Sequence, residues 1–203
     1  ALLTEYTKGE SLLKHALAVE AAVRGYARRF GEDEELWGIT ALLHDFDYEI
    51  HPTLDKHPQD GAAILREEGY PDEVIETILS HAEHLGLPRD TLLKKTLFAC
   101  DELSGFVHAC GLVRPAGLEG LEPKSVKKKM KTPAFAAAVN RDELREGAEA
   151  LGVDFDEHLA FVPQLSAATY LAQGTLVPLV IRGLPPWLER HSLVHRSEPA
   201  ETA

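Results

Sequence analysis

The sequence predicts an all-α protein, and three observations support this prediction. Apolar residues recur every three or four positions through most of the chain, whereas the alternation typical of strands is hard to find. The apolar stretches are separated by short connections that contain glycine or proline. The 203 residues, of which 44% are hydrophobic and 27% charged, have the composition of a globular domain with a sizeable core.

Five helices are predicted in the first half of the chain. The first begins with Ser11 as its N-cap and ends at Gly31. The second begins near Asp33 and continues to Phe46, and its apolar stretch 37–43 favours a central, buried position. The other three begin at or near Pro58, Pro71 and Thr91.

The helical pattern of apolar residues is interrupted at Gly111, where a loop rich in glycine and proline begins. Shorter helices are predicted beyond it, at about 123–130, 133–139, 141–151 and 154–171. We expect one all-α domain over 1–175, with its metal-site core at about 11–110 and a helical extension at about 111–175. The remainder, 176–203, reads as an apolar segment and a flexible tail.

The charge and composition of the chain indicate which partners, which location and which cysteine chemistry to expect. The net charge of −12 should repel a nucleic acid backbone, so no nucleic acid partner is expected. No run of about 18 apolar residues occurs and no signal peptide is visible, so we expect a cytoplasmic protein without a membrane span. Cys100 and Cys110 are too few for a disulfide scaffold and are interpreted as reduced, buried thiols.

Several histidines and aspartates lie in stretches that should be buried. His44 and Asp45 follow the most hydrophobic part of the chain, while His15, His81 and Asp101 lie on the apolar faces of other predicted helices. A buried carboxylate without a partner costs several kcal/mol, and lysine and arginine are scarce in these stretches. Together these side chains therefore predict a shared metal, and imidazole with carboxylate suits Fe, Mn, Co, Ni or Zn better than Ca.

The order of these residues resembles a known family. His15, the pair His44-Asp45 and then Asp101 are similar to the pattern of the HD-domain superfamily of metal-dependent phosphohydrolases, whose fold is all-α. The ordered set in a helical context is a much more specific signal than the His-Asp pair alone.

Two further stretches extend the resemblance. The segment 57–61 (HPQDG) resembles the His-Pro-x-x-Gly stretch of many HDIG-type members, and 78–81 (ILSH) resembles their later histidine helix. The chain departs from that branch directly after the His-Asp pair, where 46–49 reads FDYE instead of beginning with Ile-Gly. Asp47 and Glu49 are interpreted as solvated or helix-capping residues rather than as a proton relay.

The resemblance implies a site with two divalent transition-metal ions. The first ion would be held by His15, His44, Asp45 and Asp101. The second ion would be held by His57 and His81, and Asp45 would bridge the two ions. His44 and Asp45 would be the catalytic residues. Bound metals would activate water against a small phosphorylated substrate, so the expected function is hydrolysis of a phosphate ester.

Other histidines compete for these roles. His84 follows His81 by three residues and shares its helix face, so it is an alternative ligand. His51 also precedes a proline, but only His57 has a glycine three residues after that proline.

The stretch 124–131 carries five lysines in an otherwise acidic chain. It is either a solvated helix face or a place where Lys124, Ser125 and Lys128 approach a substrate phosphate. Pro123 at the predicted helix start would leave backbone N–H groups that could face an anion.

Three alternatives to hydrolysis remain at this point. An HD-type di-iron site can activate dioxygen, as in inositol oxygenase, with the same ligands. The site could instead serve a non-catalytic sensor that binds a metal or a nucleotide. Finally, the histidines could be unrelated core residues of a plain helical protein.

Overall fold

The computed structural model describes residues 2–173, with side chains described from 2 to 167, and confirms the predicted fold class. Within this range the regular structure is helical and contains no strand. The helices are α1 (Leu2–Tyr6), α2 (Glu10–Phe30), α3 (Glu34–Leu43), α4 (Gln59–Glu67), α5 (Asp72–His81), α6 (Leu92–Leu112), α7 (Pro123–Met130), α8 (Arg141–Leu151) and α9 (Phe155–Gln173), with a 3-10 turn at Glu83–Leu85.

The start of α2 is capped from a distant loop. Gly9 is its N-cap, and the carboxylate of Glu49 accepts hydrogen bonds from the backbone N–H groups of Lys8 and Gly9, each at 2.8 Å. The prediction that Ser11 caps this helix is therefore wrong, whereas the predicted end at Gly31, in a left-handed conformation, is confirmed. The cap ties the loop after α3 to the beginning of α2.

α3 ends three residues earlier than the sequence predicted. Its last helical residue is Leu43, and the chain passes through successive turns from His44 onward, with the Phe46 N–H donating to the Leu43 carbonyl at 3.3 Å. Neighbouring residues within a helix point about 100° apart. Because the chain leaves the helix at His44, the side chains of His44 and Asp45 can converge on one place.

Two hydrophobic clusters hold the helices together. One joins α2, α3 and α6 to the later helices through buried side chains such as Tyr26, Leu97, Phe106, Leu144 and Leu159. The other joins α1, α2, α3, α4 and α5 through buried side chains such as Ala16, Leu43, Leu65, Val74 and Ile78. Since α2 and α3 contribute to both clusters, their positions relative to α5 and α6 are fixed from both sides.

The predicted helix at 133–139 is not formed. The segment consists of turns, and Ala136 has a positive φ of 43°, which interrupts a right-handed helix. Arg141 instead binds carbonyl groups of this segment, donating to those of Phe135, Ala136 and Val139. A side chain therefore satisfies carbonyls that helical hydrogen bonds would otherwise have occupied.

His158 is a structural residue that links three helices. It is fully buried, with Nδ1 2.7 Å from the Tyr26 hydroxyl and Nε2 2.9 Å from the Ala99 carbonyl, so it links α9 to α2 and α6. Burial lowers its pKa to about 4.

The described residues include only part of the chain that the predicted domain organisation covers. No helix of the described residues is both long and apolar enough to span a membrane. α6 runs without a break across the predicted border between core and extension near residue 110. The predicted apolar segment and tail, 176–203, lie outside the described residues, and the division of the chain stays a prediction.

Candidate metal centre

Three side chains from distant helices form a first group. The Asp101 Oδ1 atom on α6 lies 2.9 Å from the His15 Nε2 atom on α2 and 3.3 Å from the His44 Nε2 atom at the end of α3. The two imidazole Nε2 atoms are 3.2 Å apart. Ligands that each lie about 2.1 Å from one ion are about 3–3.5 Å from each other, so this spacing fits a single metal.

A second group lies on the other side of Asp45. The Asp45 Oδ1 atom is 3.2 Å from the His57 Nε2 atom and 3.3 Å from the His81 Nε2 atom. His57 comes from the loop before α4, and His81 is the last residue of α5. In each group, one potential ligand atom per residue can be chosen so that all lie within 4.8 Å of one another.

Asp45 faces both groups with different oxygen atoms. Its Oδ2 atom is 3.4 Å from His44 Nε2 and 3.8 Å from His15 Nε2, whereas its Oδ1 atom faces His57 and His81. A carboxylate with this orientation could bridge two ions. The structure thus brings together all six residues that the resemblance assigned to metal binding.

Backbone contacts orient two of the imidazole rings. His44 Nδ1 lies 2.7 Å from the Ala41 carbonyl oxygen, and His81 Nδ1 makes the corresponding short contact with the Ile78 carbonyl. A carbonyl can only accept, so each Nδ1 carries the proton and donates it. In the neutral ring this leaves the Nε2 lone pair directed at the metal group.

Asp47 orients the third ring and was misinterpreted from the sequence. It is fully buried, not solvated: Oδ1 accepts from His57 Nδ1 at 2.8 Å and Oδ2 accepts from the Gly61 N–H at 3.1 Å. A Cβ atom at Gly61 would lie 2.5 Å from the Asp47 Cγ atom, so only glycine fits there without displacing the carboxylate. The glycine of the HPQDG motif was the sequence signal for this contact, while Glu49 has the capping role that was expected.

The carboxylates of this centre raise the pKa of two of its histidines, His44 and His57. Burial alone would lower the pKa of His44, but Asp45 and Asp101 outweigh burial and raise that pKa well above its ordinary value. Burial likewise opposes charge on His57, but hydrogen bonds to Asp45 and Asp47 raise its pKa to about 9. Metal binding must displace these protons, so we expect metal affinity to increase as the pH rises towards 9.

The donor set fits divalent first-row transition metals. It consists of imidazole nitrogens and carboxylate oxygens without a thiolate, a combination that suits Fe, Mn, Co, Ni or Zn. Each group offers three protein ligands, and Asp45 can add its other oxygen to the first group. Three or four protein ligands leave coordination positions for water or substrate.

The competing histidines lie outside both groups. His84 is exposed on the 3-10 turn after α5. The His51 Nδ1 atom lies 3.5 Å from an Asp47 carboxylate oxygen, and its Nε2 atom lies 3.8 Å from an Asp60 carboxylate oxygen. His51 therefore faces these two carboxylates and not Asp45.

The lysine-rich helix α7 packs beside α6 and α9. Lys124 and Lys128 are exposed and Ser125 is half-buried, and Lys124 pairs with Glu122 at 2.5 Å. The hydrogen bonds and ion pairs described for these three residues do not reach the metal-ligating side chains. Their role in substrate binding stays a prediction.

Arg89 anchors the end of α5, where His81 lies. Its Nε atom donates to the Ser80 carbonyl at 2.9 Å and its Nη2 atom to the His81 carbonyl at 3.3 Å. Its guanidinium carbon lies 3.6 Å from the ring centroid of Phe98 on α6, and it pairs with Glu83 at 2.7 Å. Arg89 thereby fixes the backbone of a metal-ligating residue against the helix that carries Asp101.

Replacing Arg89 with alanine is expected to weaken metal binding at the His57–His81 group by about 10-fold, because His81 loses its anchor. Arg89→Lys should not restore binding, since an ammonium cannot stack on Phe98 and donate to both carbonyls. Equilibrium dialysis with Mn²⁺ would measure the two affinities, with Arg66→Ala on the exposed face of α4 as the control. Unchanged affinity in Arg89→Ala would contradict this role.

The comparisons with known proteins agree with this geometry. The model of the HD domain family matches residues 12–105. Ribonuclease Y of Lactobacillus acidophilus is 29% identical over 97 residues, which are 47% of this chain and 18% of that relative. No solved structure matches the chain significantly. Residues 12–105 therefore match the HD domain family, which confirms the resemblance predicted from the sequence.

Proposed function

We propose that this protein is a binuclear metal-dependent hydrolase of small phosphate esters. The observation that carries the proposal is the position of Asp45, whose two oxygen atoms face two separate groups of metal-ligating side chains. The HD superfamily is one of metal-dependent phosphohydrolases, which supports this chemistry. Both the number of ions and the reaction are part of the proposal.

The residues of the centre would act mainly by holding and orienting. Bound divalent metals supply an activated water molecule and charge stabilisation for the phosphoryl oxygens. His15, His44, His57 and His81 would serve as neutral ligands, because their Nε2 lone pairs are used in binding and cannot also accept a proton. Asp45 would fix the separation of the two ions.

A small substrate fits the charge of the chain better than a nucleic acid. The net charge of −12 disfavours a long polyanion, whereas a single phosphate can be accommodated by local metal charge. The name of the relative, Ribonuclease Y, refers to a protein of which this chain matches 18%. RNA cleavage is therefore included as an outcome of the test rather than proposed.

The test is a substrate panel on protein whose metal content has been quantified. The panel would contain aryl, sugar and nucleoside monophosphates, bis(p-nitrophenyl) phosphate and an RNA oligomer, with chelator-treated protein as the control. We expect metal-dependent hydrolysis of at least one small ester. Oxygen consumption by iron-loaded protein without hydrolysis would favour the oxygenase, and absence of bound metal would contradict both enzymes.

A further inference from the structure

A cavity of about 420 Å³ lies between α2, α6, α9 and the loop that follows α6. It is lined by Lys14 of α2, by His108 and Leu112 of α6, by Leu118 of the following loop and by Ala167 of α9. A volume of this order accommodates a small organic molecule. The cavity shares no residue with the two metal groups, so it is a separate feature of the fold.

One face of α6 connects the cavity to the metal centre. Asp101, Gly105, His108 and Leu112 follow the spacing of a single helical stripe. His108 is seven residues beyond Asp101, which corresponds to about 10 Å along the helix axis. On α2 the cavity residue Lys14 immediately precedes the metal-ligating His15 in the sequence, on a neighbouring face of the helix.

This face of α6 has free space at Gly105, between Asp101 and His108, among the described residues. A Cβ atom added at Gly105 would meet no atom of these residues within 4 Å outside the backbone of its own helix, so they leave space at this position. Glycine is unfavourable in the interior of a helix, so its presence here is consistent with a need for space. A ligand bound at the metal groups could therefore extend along α6 into the cavity.

The cavity wall is mainly apolar. Leu112 and Leu118 line it, with Leu118 packed over Gly111, where a Cβ atom would approach the leucine to 2.8 Å. Leu112 is 74% exposed, which is unusual for a leucine beside a concave site and leaves apolar surface for a ligand to cover. Two charged residues line the cavity: Lys14 on α2, whose ammonium pairs with Glu10 at 2.5 Å, and Glu119 on the loop that follows α6.

From this geometry we infer that the cavity binds the organic group of the phosphate ester hydrolysed at the metal centre, and that this group is a bulky, mainly apolar ring system. The inference rests on the proposed function. It extends that proposal by assigning the esters of aryl-type alcohols as the preferred substrate class, over esters of small polar alcohols.

Filling the open stripe tests this inference. Gly105→Leu places a side chain between Asp101 and the cavity, and the better helix propensity of leucine should preserve folding. We expect kcat/KM for 1-naphthyl phosphate to fall about 10-fold or more, while that for methyl phosphate changes less than about twofold. Leu112→Ala should also lower kcat/KM for 1-naphthyl phosphate relative to that for methyl phosphate. Leu54→Ala, at another exposed leucine, should leave this ratio unchanged.

Binding of 1-naphthol separates this inference from the proposed function. Titration calorimetry should detect 1-naphthol binding to metal-loaded wild type and not to Gly105→Leu, whether or not any ester is hydrolysed. If wild type hydrolyses esters but Gly105→Leu keeps both its aryl preference and 1-naphthol binding, the cavity assignment is wrong and the hydrolase stands. If no ester is hydrolysed but 1-naphthol binding depends on Gly105, the cavity is a ligand site and the hydrolase proposal fails.

Discussion

Replacing Asp45 with asparagine is expected to reduce hydrolysis by about 1000-fold or more and to weaken metal binding at both groups. Asparagine has nearly the same volume, but only one of its terminal atoms is an oxygen that can bind a metal. The second group has Asp45 as its only carboxylate, with His57 and His81 as the other members. Loss of one oxygen should therefore remove the bridge, whichever way the amide turns.

Metal content and activity measure this effect on the same protein samples. Elemental analysis after equilibration with Mn²⁺ should show fewer ions per chain than in wild type, and far-ultraviolet circular dichroism should show an unchanged helix content. Asp72→Asn is the matched control, because Asp72 is exposed in the first turn of α5. Retention of both ions, with activity within about 10-fold of wild type, would contradict a bridging role for Asp45.

Asp47→Asn is expected to give the second largest effect, a loss of about 10- to 100-fold in metal affinity at the His57–His81 group. Asp47 accepts one hydrogen bond from His57 and one from the Gly61 N–H. The amide nitrogen of asparagine would face one of these donors, so one buried hydrogen bond is lost. We expect this to lower the free energy of unfolding by about 1–3 kcal/mol as well.

Dialysis with limiting Mn²⁺ would distinguish the two metal groups in Asp47→Asn. The ion at the His15–Asp101 group should be retained, since Asp47 does not contact that group among the described hydrogen bonds. Asp60→Asn is the control, because Asp60 is a half-exposed aspartate on the same helix as Gly61 and lies 3.8 Å from His51. Equal loss of both ions, or loss of neither, would show that Asp47 does not orient His57.

Local patterns predicted much of the fold because they depend on neighbouring residues. The helical period located most of the helices, and Gly31 ended α2 where its left-handed conformation was expected. The short α1 was not predicted, and the predicted helix at 133–139 was wrong. In the second case Arg141 and the positive φ of Ala136 outweigh a helical pattern that the sequence alone favours.

The sequence by itself determined the fold class and most of the metal-ligating candidates, because buried histidines and aspartates on apolar faces need a shared partner, while the resemblance to the HD-domain superfamily added His57. Only the tertiary structure decided between His81 and His84 as neighbours of Asp45. It also decided that Asp47 is a buried partner of His57, because the end of α3 at Leu43 turns the following loop inward. Side-chain direction beyond a helix end depends on packing between distant segments, and no local period records that packing.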